Sequence, residues 1–321
     1  MLRFGLQIPS FTFPATPDGE LFERIADIAV TAEQAGFDSL WVMDHFYQIP
    51  NVGRRTESML ESYTLLGGIA ARTSRATLGT MVTGVTYRNP ALLAKIVTTL
   101  DMVSSGRAIL GIGAAWNEDE HRGYGFDFPP PRERLDRLEE AIEVCRAMFT
   151  EEEATFHGRH YRIDRALNFP RPVRPEGIPI LVGGSGERRT LRLVAQYADA
   201  CNLFGNVSTI HHKLEVLEEH CADVVRDPSE ITKTRLGALV IAPTQGEAER
   251  KAKEVWERRN VAEAWRSSYV VGDPDSVAEQ AQAYFDAGLD GLLFNMPDAY
   301  DLDTVALAGK TLTSALPREL K

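Results

Sequence analysis

Short, almost wholly apolar runs alternate with amphipathic stretches along the entire chain. The runs fall at about residues 2–8, 36–46, 76–82, 107–112, 178–182, 198–204, 235–242 and 289–295. Continuous apolar character without alternation marks strands covered on both faces, the state of a parallel sheet. A stretch with helical periodicity follows each run. In residues 19–35, Leu21, Phe22, Ile25, Ile28, Ala29 and Ala32 share one face, and Gly36 ends the helix. Asn89-Pro90 starts another helix, with proline at its tolerated first position, and Ser105-Gly106 stops it. Residues 132–149 turn Leu135, Leu138, Ile142, Cys145 and Phe149 inward. The remaining helices are expected at 58–72, 187–197, 208–226, 275–287 and 302–316.

Two stretches interrupt the rhythm. Residues 150–177, rich in Glu and Pro around His157-Gly158-Arg159-His160, predict an inserted hairpin and an extended excursion. Residues 245–268 predict a charged, helical insertion. Eight strands, each followed by a helix, predict one α/β domain over residues 1–321. Its architecture is a (β/α)8 TIM barrel with insertions after the fourth helix and after strand seven. An open doubly wound sheet is the rival. It is the weaker reading, because there is no six-strand halving and no GxGxxG after the first strand.

Composition then narrows the function. With 44% hydrophobic and 25% charged residues the chain has ample material for a core. A net charge of −11 argues against nucleic acid or an anionic membrane as partner. Any polyanionic ligand must therefore be held by a local basic patch. Cys145, Cys201 and Cys221 form no CxxC or His/Cys cluster and read as reduced thiols, two on helices and one on a strand. The amino terminus is too short and polar for a signal peptide, and no run approaches a membrane span, so a cytoplasmic location is expected. His121, His157, His160 and the His211-His212 pair have no partners at metal-ligand spacing and read as surface residues, so no metal is expected.

In a barrel the carboxyl ends of all strands open on one mouth. Those ends carry Gln7, Asp44-His45, Met81-Val82-Thr83, the segment from Gly113 and Ala114 to Trp116 and Asn117, the turn Gly183-Gly184-Ser185-Gly186, Asn202 and Asn295. Imidazole trades a proton near neutrality, so His45 is the candidate acid or base. Asp44 either orients it or holds a cofactor heteroatom. Taken alone, such a pair is more often a helix-capping Asp and a loop His, by roughly two to one. The glycine turn before a helix suits an anion, with Arg188 and Arg189 beside it. Taken alone, it is more often a tight turn, and the arginines a solvated helix face.

The third and fourth units are Gly79-Thr80-Met81-Val82-Thr83, Tyr87-Arg88-Asn89-Pro90 and Ser105-Gly106-Arg107-Ala108-Ile109-Leu110-Gly111-Ile112-Gly113-Ala114-Ala115-Trp116. They resemble the luciferase-like monooxygenase superfamily. With Trp41, Asp44-His45 and the glycine turn after strand five, nearly the whole chain resembles the branch that uses the deazaflavin coenzyme F-420. The resemblance implies an oxidoreductase that moves hydride between F-420 and a small organic substrate, and a homodimer. It places His45 beside the reactive carbon of the cofactor. It implies that Asp44, Met81, Val82, Thr83, Gly113, Ala114, Gly183, Gly184, Ser185, Gly186 and Arg188 hold the cofactor. Gln7, Trp116, Asn117 and Asn295 would then line the substrate pocket. A non-proline cis peptide at the strand-three bulge is also implied, with Met81-Val82 as the candidate.

In the sugar-phosphate dehydrogenase of this branch an acid follows the strand-four glycine motif and partners the histidine. Here Trp116 stands at that place, with Glu118 and Asp119 just beyond. The departure predicts a flatter, more apolar substrate face, suited to an alkene, imine or quinone-like acceptor. Two alternatives keep the fold. One is a monooxygenase using reduced FMN, which activates oxygen; the other is a barrel that binds F-420 or flavin without turnover.

Overall fold

A computed structural model describes residues 2–316. In chain order it contains β1 (Phe4–Ile8), α1 (Leu21–Ala35), β2 (Ser39–Val42), α2 (Ser62–Arg72), β3 (Thr77–Thr80), β4 (Thr83–Gly84), α3 (Pro90–Val103), β5 (Leu110–Gly113), α4 (Glu118–Tyr124) and α5 (Pro131–Thr150). A hairpin of β6 (Ala154–His157) and β7 (Arg162–Ala166) follows. The barrel resumes with β8 (Ile180–Gly183), α6 (Thr190–Tyr197), β9 (Ala200–Leu203), α7 (Val207–Asp223) and β10 (Thr232–Ile241). Then come α8 (Gln245–Arg258), α9 (Glu263–Arg266), β11 (Val270–Gly272), α10 (Pro274–Asp286), β12 (Gly291–Asn295) and α11 (Leu302–Ala315).

The strands run β3-β2-β1-β12-β10-β9-β8-β5-β4, every pair parallel. β3 and β4 are two halves of one strand, broken at Met81-Val82, whose peptide bond is cis as expected. The pairing of β4 with β5 and a bridge between Leu78 and Ala108 close the sheet into the expected barrel. Two elements were not expected. A short helix, α4, follows β5, and the insertion after strand seven ends in β11, which pairs parallel to β10 outside the barrel.

Two apolar layers hold this frame. Inside the barrel, Trp41, Met81, Ile109, Leu181 and Leu293 pack together, with Trp41 fully buried. The larger core lies between the sheet and the helices, where each buried aliphatic side chain is worth about 1.5–3 kcal/mol. Gly36 adopts φ +104 and closes α1 with bonds to Ala32 and Glu33 carbonyls, a conformation that a Cβ would strain. At the amino-terminal face, the Glu33 carboxylate accepts the backbone N–H groups of Ser74, Arg75 and Ala76 and so fixes the entry to β3. All three cysteines are buried and free. Among the described residues no helix is long and apolar enough to cross a membrane.

Candidate active site

The Asp44-His45 pair sits where β2 leaves the barrel, and its two members part company. Asp44 is buried, accepts Ser62 Oγ at 2.6 Å, and takes both terminal nitrogens of Arg88 at 2.7 and 3.0 Å. Arg88, half-buried, also donates to Glu61 at 2.6 Å. Burial opposes the charge on Arg88, but Asp44 beside it wins and holds its pKa above the usual range. Asp44 thus ties the end of β2 to the loop before α3, and it does not orient His45.

Glu120 does. Its Oε1 lies 2.8 Å from His45 Nδ1, and its other oxygen accepts the Tyr87 hydroxyl at 2.9 Å and the Phe46 N–H at 3.2 Å. Asn117 Nδ2 donates to Oε1 as well. Glu120 is fully buried, and burial alone would raise its pKa. The bonds from His45, Tyr87 and Phe46 outweigh that and leave it below the ordinary carboxylate value. An ionised carboxylate accepts only, so His45 carries its proton on Nδ1, and Nε2 remains for whatever enters the cleft. Among the described residues Nε2 has no partner. Trp116, more than half exposed, sets its ring edge-on to His45 with centroids 5.5 Å apart.

Sequence reading missed Glu120, because Glu118-Asp119-Glu120 looks like one solvated acidic run. In the folded chain Glu118 pairs with Arg122 and Asp119 with Arg55, both exposed, while Glu120 turns inward. His121 is a correction too. It is buried rather than on the surface, bonded to Thr86 Oγ1 and the Asn117 carbonyl and packed on Tyr87.

A cleft of about 280 Å³ opens beside His45. Asp44, Met81, Val82, Thr83, Gly113, Ala114, Gly183, Gly184, Trp116 and the strand-end Asn202 line it, with Tyr87, Thr190 and Phe204 unforeseen. Val82 forms its flat wall and fits only because two neighbours lack side chains. A Cβ on Gly113 or Gly183 would stand 2.8 or 2.7 Å from a Val82 methyl. The Thr83 hydroxyl is committed to the protein. Thr80 donates to the Gly111 carbonyl, so Thr83 must donate to Thr80 and receive from the buried Tyr63 hydroxyl.

The other expected residues fall around this cleft rather than in it. Gln7 lies behind the wall, donating to the Met81 carbonyl at 3.1 Å, and Asn295 donates to Gln7 in turn. Asn117 serves Glu120. Ser185, Gly186 and Arg188 line an adjoining recess of about 430 Å³ with Lys213, and Thr190 is common to both spaces. Gly184 turns at φ +128, and the Ser185 hydroxyl receives the Phe204 N–H. Arg188 is exposed and forms no ion pair among the described residues. Arg189 is held by Asp136 at 2.7 Å.

A cleft walled by Val82 and glycines, adjoining a recess that holds Arg188 and a Lys213–Glu187 pair, suits a ring system carrying an anionic tail. A family model described as luciferase-like monooxygenase matches residues 2–291. The chain belongs to this family. Among curated relatives of this luciferase-like chain is the F-420-dependent glucose-6-phosphate dehydrogenase of Kineococcus radiotolerans, 32% identical over 310 residues, covering 85% of this chain and 87% of the relative. A solved monooxygenase from Streptomyces bottropensis superposes with TM-score 0.83 at 21% identity, covering 97% and 99% of the two chains. The coenzyme F-420-dependent tetrahydromethanopterin reductase of Methanopyrus kandleri gives 0.80 at 20% identity, covering 98% and 99%. Both structures share the fold.

Proposed function

We propose that the protein is an oxidoreductase that transfers hydride between coenzyme F-420 and a small organic substrate, with His45 moving the companion proton. The observation that carries this is the buried Glu120 beneath His45, at the rim of a cleft lined by Val82 and glycines. The F-420-dependent relative at 32% identity supports the choice of cofactor. Val82, Gly113, Ala114 and Gly183 would lie against the ring, and the glycine turn with Arg188 and Lys213 would take the phosphate and acidic tail. When bound, F-420 supplies a carbon that gives or accepts hydride.

The protein's own groups supply the rest. Glu120 keeps the Nδ1 proton in place and stabilises the imidazolium that forms when Nε2 takes a proton from a substrate heteroatom. In the opposite direction the same imidazolium returns that proton. Asp44 and Arg88 fix the strand end from which His45 projects. Trp116 packs edge-on against the imidazole and so restricts its rotation. The acid missing from the position of Trp116 is thus supplied by Glu120, so the pairing of acid with histidine that a dehydrogenase needs is present.

Titration of apo-protein with F-420 and with FMN, followed by fluorescence, tests the cofactor. Tight F-420 binding with weak FMN binding is expected. The reverse order would move the protein to flavin-dependent oxygen chemistry and remove the role given to His45.

A further inference from the structure

A second cavity, larger than the cleft at His45, opens nearby. It is a chamber of about 640 Å³ at the same barrel mouth, on the side of β1 and β12. Ile8 and Met296 form part of it, and they directly follow Gln7 and Asn295, the two residues that brace the Met81 carbonyl. Its walls are largely apolar, with Phe13, Val52, Pro297 and Tyr300 among them.

Its charge is opposite in sign to that of the molecule as a whole. In a chain of net charge −11, three arginines (Arg54, Arg258 and Arg259) line this chamber against one carboxylate, Glu57. Arg54 reaches Glu57 at 3.4 Å. Arg259 is half-buried and forms no ion pair with a carboxylate among the described residues. Burial pulls its pKa below the usual guanidinium range, and the more distant charges of Asp298 and Glu57 only partly offset that. The nearby Asp298 is engaged by Lys251 at 3.1 Å. A guanidinium drawn out of water with no carboxylate at ion-pair distance is costly, and an oxyanion offers the bidentate partner it lacks.

We propose that this chamber receives the hydride-exchanging substrate, and that it selects molecules with an apolar body ending in a carboxylate or phosphate gripped by Arg259 and Arg258. The assignment of the chamber to the substrate rests on the hydride-transfer reading above; the ligand class rests on the chamber alone. Ile8, Phe13, Val52 and Met296 would cover a hydrocarbon body.

Calorimetric titration with phenylbutyrate, phenylbutyl phosphate and phenylbutyramide, on apo-protein and on F-420-loaded protein, tests it. At least one anion is expected to bind about tenfold tighter than the amide, and the tighter one identifies the oxyanion. Arg259→Gln should abolish that preference, Arg259→Lys should keep part of it, and Arg258→Gln should reduce it. The exposed Arg258 supplies the decisive variant if Arg259→Gln does not fold. Equal binding of amide and anions, no binding of any probe, or an unchanged preference in the variants would overturn the proposal. Displacement of F-420 by the anions would do so too, since the chamber would then belong to the cofactor's tail. Failure of wild-type protein to bind F-420 sinks the hydride-transfer reading instead, while the apo-protein titration still decides the ligand class.

Discussion

Glu120 Oε1 stands 2.8 Å from His45 Nδ1, and the carboxylate is closed off from solvent on every side. A buried negative charge whose other contacts are donors from Tyr87, Asn117 and Phe46 has one variable partner, the imidazole. That relationship turns a loop histidine into a fixed acid–base group.

Glu120→Gln keeps the shape and removes the charge. Turnover with F-420 should fall about a hundredfold, the lower part of the range for a general acid–base contribution, while F-420 affinity stays within about twofold. The loss should fall on kcat and leave KM near its wild-type value, because the carboxylate acts on the imidazole and not on bound substrate. A purely structural role for Glu120 would lower thermal stability and both kinetic parameters together, and steady-state kinetics with a melting curve distinguishes the two.

The flat wall of the cleft depends on glycine. Gly183→Ala puts a methyl against Val82 and should weaken F-420 binding about tenfold, a loss near 1.4 kcal/mol. Adding Val82→Ala should restore most of it, since the clash partner is then gone. Fluorescence titration of both variants checks the pair.

Arg88 with Asp44 is a buried ion pair. Burial already pushes the Asp44 carboxyl above its ordinary value, so Arg88→Met leaves it either an unpaired buried charge or a protonated acid without its partner, and stability should drop by about 3 kcal/mol. Adding Asp44→Asn removes the stranded carboxyl and should recover part of that. Urea unfolding of wild type and both variants measures it.

Acid stability follows from two depressed carboxyls. Glu33 and Glu120 are both held below their ordinary value of 4.5 by hydrogen bonds that outweigh burial. A depressed native pKa contributes stability that is full above the unfolded value and is lost as pH falls through the native one. The melting temperature should therefore fall steeply below about pH 4.5, and Glu33→Gln or Glu120→Gln should flatten that limb.

Most of the frame was legible in the sequence because each barrel strand is a continuous apolar run and each outer helix an amphipathic one. The same logic located His45 and the glycine turn, since strand ends are where a barrel keeps polar residues, while the break at Met81-Val82 came from the family resemblance. Glu120 was not legible. Which of three consecutive acids points inward depends on how the seven-residue α4 docks over Phe46 and Tyr87, a long-range relation that no local pattern records. Arg88 shows the same limit, for its partner Asp44 lies 44 residues away. The large chamber was also hidden, because its arginines come from the loop after β2 and from the charged insertion, whose docking the insertion's own sequence does not specify.

The central claim is that His45 moves the proton that accompanies hydride transfer. Single-turnover kinetics of His45→Ala, with reduced F-420 bound and an accepted substrate added, tests it most directly. The account predicts F-420 affinity close to wild type and a rate of cofactor oxidation at least a hundredfold lower. Cofactor oxidation at the wild-type rate in that variant would contradict it.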